Sequence, residues 1–179
     1  MAAPTQFNLP NGQRAERKSL ITVVEWTEGS SEEREILGTR TEDSSIEYNP
    51  DQQTSTDIRG INYTDVNKTQ PQQDFDPFLI LGGSKLGAKL NDIRRRNAVS
   101  ELSQFNVYVI TAFIGTAGAY EAERHSGCTI TYTSFGGDAN VNFPISVFLS
   151  NDWNGSGKPQ TGTVDKLGAD FQFTADANV

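Results

Sequence analysis

The chain has 179 residues, enough for one domain whose hydrophobic core needs no covalent staples. Against 23 Asp and Glu stand 15 Lys and Arg, a net charge of −8. A surface of that sign is unsuited to gripping nucleic acid, because phosphate binding needs Lys and Arg to displace counterions.

Residues 1–18 are polar, carry Pro4, Pro10 and Gly12, and read as a flexible N-terminal arm. A β-domain is expected over 19–166, followed by a C-terminal extension over 167–179. Ser19 to Trp26 alternates, with Leu20, Thr22, Val24 and Trp26 on one face and Glu25 on the other. Ile36 and Leu37 start a short strand whose pattern allows it to run to Thr41, and Ser44 to Tyr48 is β-prone up to the Asn49-Pro50-Asp51 turn. Gln53 to Val66 is rich in Thr, Ile and Tyr but poor in large apolar residues. It suits a hairpin with two wet faces, or one that pairs with a neighbouring subunit. Phe75 to Leu81 contains Pro77, so it reads as an edge or a strand start.

Lys85 to Ser103 is the one helix expected: Leu86, Leu90 and Ile93 form its apolar stripe, and Asn97 marks a bend or an end. Asn106 to Ile114 is apolar on both faces and should be buried on both. Tyr120 to Ser134 alternates again. Val141 to Leu149 places Phe143, Ile145, Val147 and Leu149 on one face. Val164, Phe171 and Phe173 suit one last strand. The expected fold is mainly β (α+β), an antiparallel β-sandwich or barrel with one helix packed on it.

Catalytic and binding constellations are weak. His125 is the only histidine, and its charged neighbours place it in a surface loop, which leaves no Ser-His-Asp triad. Cys128 is the only cysteine, so an intrachain disulfide and a cysteine-only metal site are excluded. It lies on the apolar side of a strand and reads as a buried structural thiol. Gly82-Gly83-Ser84-Lys85-Leu86-Gly87 has the setting of a phosphate loop, but Ala88 and Lys89 stand where Lys and Ser or Thr are required. Asp152 to Gly157 matches half of a calcium loop and lacks the acid at position twelve, where Thr163 stands. No cofactor, metal or catalytic step is expected. Met1 to Pro10 has no basic region and no apolar run, so no secretion signal or membrane span is expected. The Asn-x-Ser/Thr triplets at Asn62, Asn67 and Asn154 then read as chance.

The order of features carries a resemblance. It runs from an acidic hairpin at 38–50, through 54–60 and 72–78, to a Leu-rich helix with Arg94, Arg95 and Arg96. The apolar strand 107–114 and Tyr120-Glu121-Ala122-Glu123-Arg124 follow. Ser134-Phe135-Gly136-Gly137-Asp138-Ala139 then leads to Phe143-Pro144, and Thr161-Gly162-Thr163-Val164 closes the set. This order resembles the major tail tube proteins of long-tailed bacteriophages, particularly those with non-contractile tails and low-GC Gram-positive hosts. The resemblance implies a β-barrel-like sandwich with one helix. It also implies hexameric rings whose hairpins join into a lumenal barrel, and stacking of the rings into a channel for DNA ejection. The implied partners are further copies of the chain, the tape-measure protein, the tail terminator and distal tail proteins. The implied location is the virion tail, assembled in the bacterial cytoplasm.

Charge distribution bears on the same expectation. Between Glu25 and Asp76 there are 13 acids and 4 bases, a local charge of −9 that leaves about +1 elsewhere. An acidic wall repels phosphate, so DNA slides instead of sticking. Glu42, Asp43, Glu47, Asp51 and Asp57 are the lumen-facing candidates. Arg94, Arg95, Arg96, Thr54, Thr56, Ile58 and Tyr63 are the candidates for contact between subunits. Other β-rich virion components (a terminator, decoration or baseplate subunit) share this profile. A carbohydrate-binding sandwich would use Trp26 and Trp153 as platforms.

Overall fold

A strand that is apolar on both faces needs a cover on each, and this requirement sets the layers of the protein. The computed structural model describes residues 7–150 and 157–177. In chain order its elements are β1 (Leu20–Glu25), β2 (Arg34–Ile36), β3 (Ile46–Glu47), β4 (Asp51–Thr56), β5 (Asn62–Lys68) and β6 (Gln72–Phe75). After these come α1 (Lys85–Arg96), β7 (Phe105–Thr116), β8 (Ala119–Tyr132), β9 (Ile145–Phe148), β10 (Gln160–Val164) and β11 (Phe173–Ala175). The fold is mainly β, an antiparallel curled half-barrel with one α-helix. The main sheet runs β2-β1-β7-β8-β9-β6-β3, with β10 and β11 branching from β8, and β4 and β5 form a separate two-stranded sheet.

The long strand β8 lets the sheet fork. One edge of β8 pairs with β7; the other pairs with β10 over Tyr120 to Arg124 and with β9 over Thr129 to Tyr132. Between the two branches the β7 register slips, and Gly127 sits there at φ +62°, a left-handed conformation that favours glycine. His125 lies at this fork, buried, with Nδ1 2.6 Å from the Ser150 carbonyl oxygen. That corrects the surface-loop reading: the flanking charges Glu123 and Arg124 are strand residues, not loop residues.

Two cores form, one on each face of β7. Phe105, Val107 and Val109 join Leu86, Leu90 and Ile93 of α1 in the larger core. Tyr108 and Ile110 join Val23, Ala122, Val164 and Phe171 in the smaller core on the opposite face. The four residues expected to share a face, Phe143, Ile145, Val147 and Leu149, are all buried in the larger core. Cys128 is buried as expected, and burial pushes its thiol up to about 11, away from reactivity.

The helix is shorter than its sequence pattern. Ser84 caps α1, its Oγ accepting from the Gly87 N–H at 3.1 Å, and Glu35 accepts the Leu86 N–H at 2.6 Å. Asn97, at φ +53°, ends the helix after Arg96, and a separate 3-10 turn spans Val99–Ser103. The spacing of Val99 and Leu102 continues the helical period because a 3-10 turn has a similar one. Similarly, the region expected to hold one last strand holds two, β10 and β11, which pair with each other.

Glu25, on the β1 face opposite Val24 and Trp26, is 0% exposed. The smaller core covers that face, and Glu25 is accommodated by full pairing. Arg34 donates to its Oε1 from Nε at 2.8 Å and lies 2.7 Å away through Nη2. The Gly29 N–H reaches the same oxygen at 3.0 Å. Asn106 and the Tyr108 hydroxyl donate to Oε2 at 3.2 and 3.1 Å. Arg34 also donates to the Phe171 carbonyl at 2.8 Å and stacks on its ring at 4.4 Å, which fixes the C-terminal segment over the smaller core. Residues 7 and 8 of the expected arm are docked as well: Phe7 bridges Ile114, and the Asn8 N–H donates to the Phe113 carbonyl at 3.0 Å.

Removing one partner of a buried ion pair strands the other, so Arg34→Met should cost about 3–5 kcal/mol in chemical denaturation. Burial and the neighbouring Glu25 carboxylate push the Tyr108 phenol up to about 12. A folded-state value above the unfolded one means stability held below the unfolded value of 10 and lost as pH rises towards 12. Denaturation curves at stepped alkaline pH should show this loss, and Tyr108→Phe should flatten it.

Candidate assembly and channel surface

The candidate site grows from one long hairpin. Its base is β3 and β6, paired through Ile46 with Gln73 and Glu47 with Gln72, and β6 joins the main sheet along β9. The Gln70 N–H donates to the Tyr48 carbonyl at 2.8 Å and carries the pairing past the Asn49-Pro50 kink. Beyond it β4 and β5 pair from Asp51 with Lys68 to Thr56 with Asn62. At roughly 3.4 Å per residue, these strands project about 20 Å from the body.

Every residue of β4 is exposed, and on β5 and in the turn Ile61, Tyr63, Val66 and the fully exposed Ile58 lack any core. The stretch Gln53 to Val66 is therefore the wet-faced hairpin its composition suggests. Thr54 and Thr64 bond across it at 3.2 Å, and Thr56 donates to Asn62 at 2.7 Å. These pairs hold the register where no core can.

At the base, the side of the sheet away from the larger core is an uncovered wall. Glu47, Gln72, Phe148 and Thr129 lie in one row across β3, β6, β9 and β8, and Asp74, Ser146 and Thr131 form the next. The positions between them, Gln73, Val147 and Ile130, are buried. The named wall positions carry two acids and no base. The Gln72 amide donates to Asp74 at 2.8 Å. Asp74 was missing from the sequence candidates because Gln73 is polar yet fully buried, donated to by the Thr22 hydroxyl at 2.7 Å, and so hides the alternation.

The remaining candidates divide. Glu47 stands on the wall, Asp51 at the foot of the projecting hairpin, and Glu42 and Asp43 in the exposed loop before β3. Asp57 instead orders the hairpin turn. Its Oδ1 accepts the Arg59 and Ile61 N–H groups at 2.8 and 2.9 Å, and Tyr63 donates to Oδ2 at 3.3 Å. Thr54, Thr56, Ile58 and Tyr63 are exposed on the hairpin, as contact between subunits requires.

Two arginines of the triplet are engaged within the chain. Arg96 pairs with Asp92 at 2.7 Å and Glu101 at 2.8 Å, while Arg94 stacks on Phe135 at 4.4 Å and donates to Asn91. All three, Arg94, Arg95 and Arg96, remain exposed at the end of the helix, where Glu101 folds back beside Arg96. Lys89 joins Arg96 at Glu101 and helps hold its carboxyl down to about 2.

The glycine-rich turn before α1 serves its N-cap, with Ser84 and Glu35 occupying the first amides. Among the described residues, no three His, Cys, Asp or Glu side chains gather as a metal-holding group, and no helix is long and apolar enough to cross a membrane. Trp26 is half-buried against the larger core. Trp153 and the Asp152 half-loop lie outside the described residues.

The turn hydrogen bonds, first that from the Ile61 N–H, pull the Asp57 carboxyl below its usual value. A lowered folded-state value means the turn is held above the unfolded value and loosens as pH falls through the folded one. Protection factors at Arg59 and Ile61, corrected for the intrinsic pH dependence of amide exchange, should fall on that descent, and Asp57→Ala should give the lowered protection at neutral pH. Compared with models of known protein families and with curated proteins, the chain matches none.

Proposed function

We propose that this chain is a self-assembling structural subunit of a bacteriophage tail tube, with no catalytic step. Copies join strand edges into hexameric rings, and the rings stack into the channel of a long, non-contractile tail. The partners are further copies of the chain, with the tape-measure, terminator and distal tail proteins that the family resemblance implies. The subunits assemble in the bacterial cytoplasm and end in the virion tail.

The observation that supports this reading best is the hairpin. A two-stranded sheet exposed on both faces and open on both edges is at best marginally stable and invites strand addition. Here the outer edge of β4 continues that of β3, so a neighbour's strand could lengthen a sheet already anchored in the body. Such a contact uses different patches on the two copies, and heterologous contacts that close make rings.

The wall supports the channel half of the reading. Duplex DNA carries one charge per about 1.7 Å, and at physiological salt charges act over about 8 Å. Glu47 and Asp74, with no opposing cation among the wall positions, would repel a duplex within that range and leave it free to slide.

Negative-stain electron microscopy of the concentrated protein should show rings or tubes. Tubes of a Glu47→Lys, Asp74→Lys double variant should still form but should retain duplex DNA in low-salt co-sedimentation, where the parent tubes do not. If that variant fails to assemble, these acids belong to a subunit interface and the channel assignment is wrong.

A further inference from the structure

The edge of β2 forms a groove that the assembly reading leaves without an occupant. The Leu37 N–H donates to the Thr22 carbonyl and the Trp26 N–H to the Glu33 carbonyl. Ladder alternation then turns the backbone groups of Arg34 and Ile36 away from β1. β2 ends the sheet path, so no strand of the main sheet lies beside them. They face a groove of about 340 Å³ whose apolar lining is Ile36, Phe78, Leu79, Leu81 and Ala169. Its rim is charged: Lys85 lines the groove, and Glu32 lies 3.3 Å from Lys85 with a side chain 89% exposed. Glu33 precedes the strand in the same 3-10 turn.

The chain also carries a projection of matching character. Ile58 at the hairpin tip is fully exposed and the adjacent Arg59 is exposed. The turn beneath them is already ordered: the Asp57 N–H bonds the Ile61 carbonyl at 3.0 Å, the Gly60 N–H bonds the Asp57 carbonyl at 3.0 Å, and the Asp57 carboxylate holds two more amides. An ordered tip loses little conformational freedom on docking.

We propose that the β2-edge groove is the socket for the hairpin tip of a second copy of this chain. Ile58 enters the apolar lining, and Arg59 meets Glu32 and Glu33 on the rim. The tip amides of Asp57, Arg59, Gly60 and Ile61 stay bonded within their own turn, so the contact is made by side chains and not by an added strand. The complementarity is twofold, an apolar side chain for an apolar groove and, on a rim that also carries Lys85, a cation for the exposed Glu32 carboxylate. This assignment rests on the self-assembly reading and adds to it the two surfaces that meet.

Sedimentation velocity of the full chain at rising concentration tests the pairing. Arg59→Glu and Glu32→Lys with Glu33→Lys should each raise the concentration needed for assembly by about ten-fold or more, as loss of a central contact does. Combining all three substitutions should restore most of that loss. A second measurement does not depend on charge: Ile58→Cys with Thr39→Cys, at a position that also lines the groove, should give a ladder of disulfide-linked chains on mild oxidation. Cys128 is buried and stays out of that reaction. Parent protein that assembles while the charge variants behave like it, or lose assembly without rescue, overturns the socket and leaves self-assembly standing. So does assembly without a cross-linked ladder. Parent protein that remains monomeric overturns both.

Discussion

β7 carries large apolar side chains on both faces over most of its 12 residues, and the rest of the fold is arranged by what covers them. The α1 stripe covers one face. The other takes the C-terminal segment, whose Phe171 is held through its carbonyl by Arg34. Arg34 can do this only because Glu25, with four donor groups around it, balances its charge. A buried carboxylate without those donors would cost several kcal/mol. The second core is thus closed by an ion pair at its rim, and the C-terminal segment is part of the fold that this pair secures.

This dependence explains which features were legible in the sequence. The two-sided burial of β7 was visible in its continuous apolar run, and the α1 stripe, its Asn97 end and the wet hairpin were visible in their spacing and composition. The buried polar residues were not. Glu25, Gln73 and His125 are polar letters at buried positions, each held by a partner elsewhere in the chain: Arg34 and Tyr108 at the Glu25 carboxylate, the Thr22 hydroxyl at Gln73 Oε1, and the Ser150 carbonyl at His125 Nδ1, while Gln73 Nε2 and His125 Nε2 have no hydrogen-bond partner among the described residues. A pattern of polar and apolar letters records burial only where apolar side chains do the packing. The boundaries failed for a related reason. The 3-10 turn after Asn97 and the fork in β8 are set by left-handed residues whose neighbours keep the right period.

The candidate surface follows the same division. Its hairpin was legible because an absence of core residues is a compositional fact. Its wall was not, because the wall exists only once β3, β6, β9 and β8 stand side by side, and β9 lies far along the chain from β6. The acids that matter there are those in register across strands, so Glu47 and Asp74 share a face while Asp57, equally acidic in the sequence, is folded into its own turn.

What the hairpin lacks is as informative as what it carries. Thr, Ser, Gln and Asn dominate β4 and β5, and the few large apolar residues, Ile58, Ile61, Tyr63 and Val66, are spread along the turn and one strand. A hairpin packed with apolar residues would collapse onto the body or aggregate at its open edges. A wholly polar one would gain little from a partner, since cross-strand pairs contribute only about 0.2–1 kcal/mol each. The observed composition lies between these limits. The projection is polar enough to stand exposed on both faces, and its apolar tip is left uncovered by the rest of the fold.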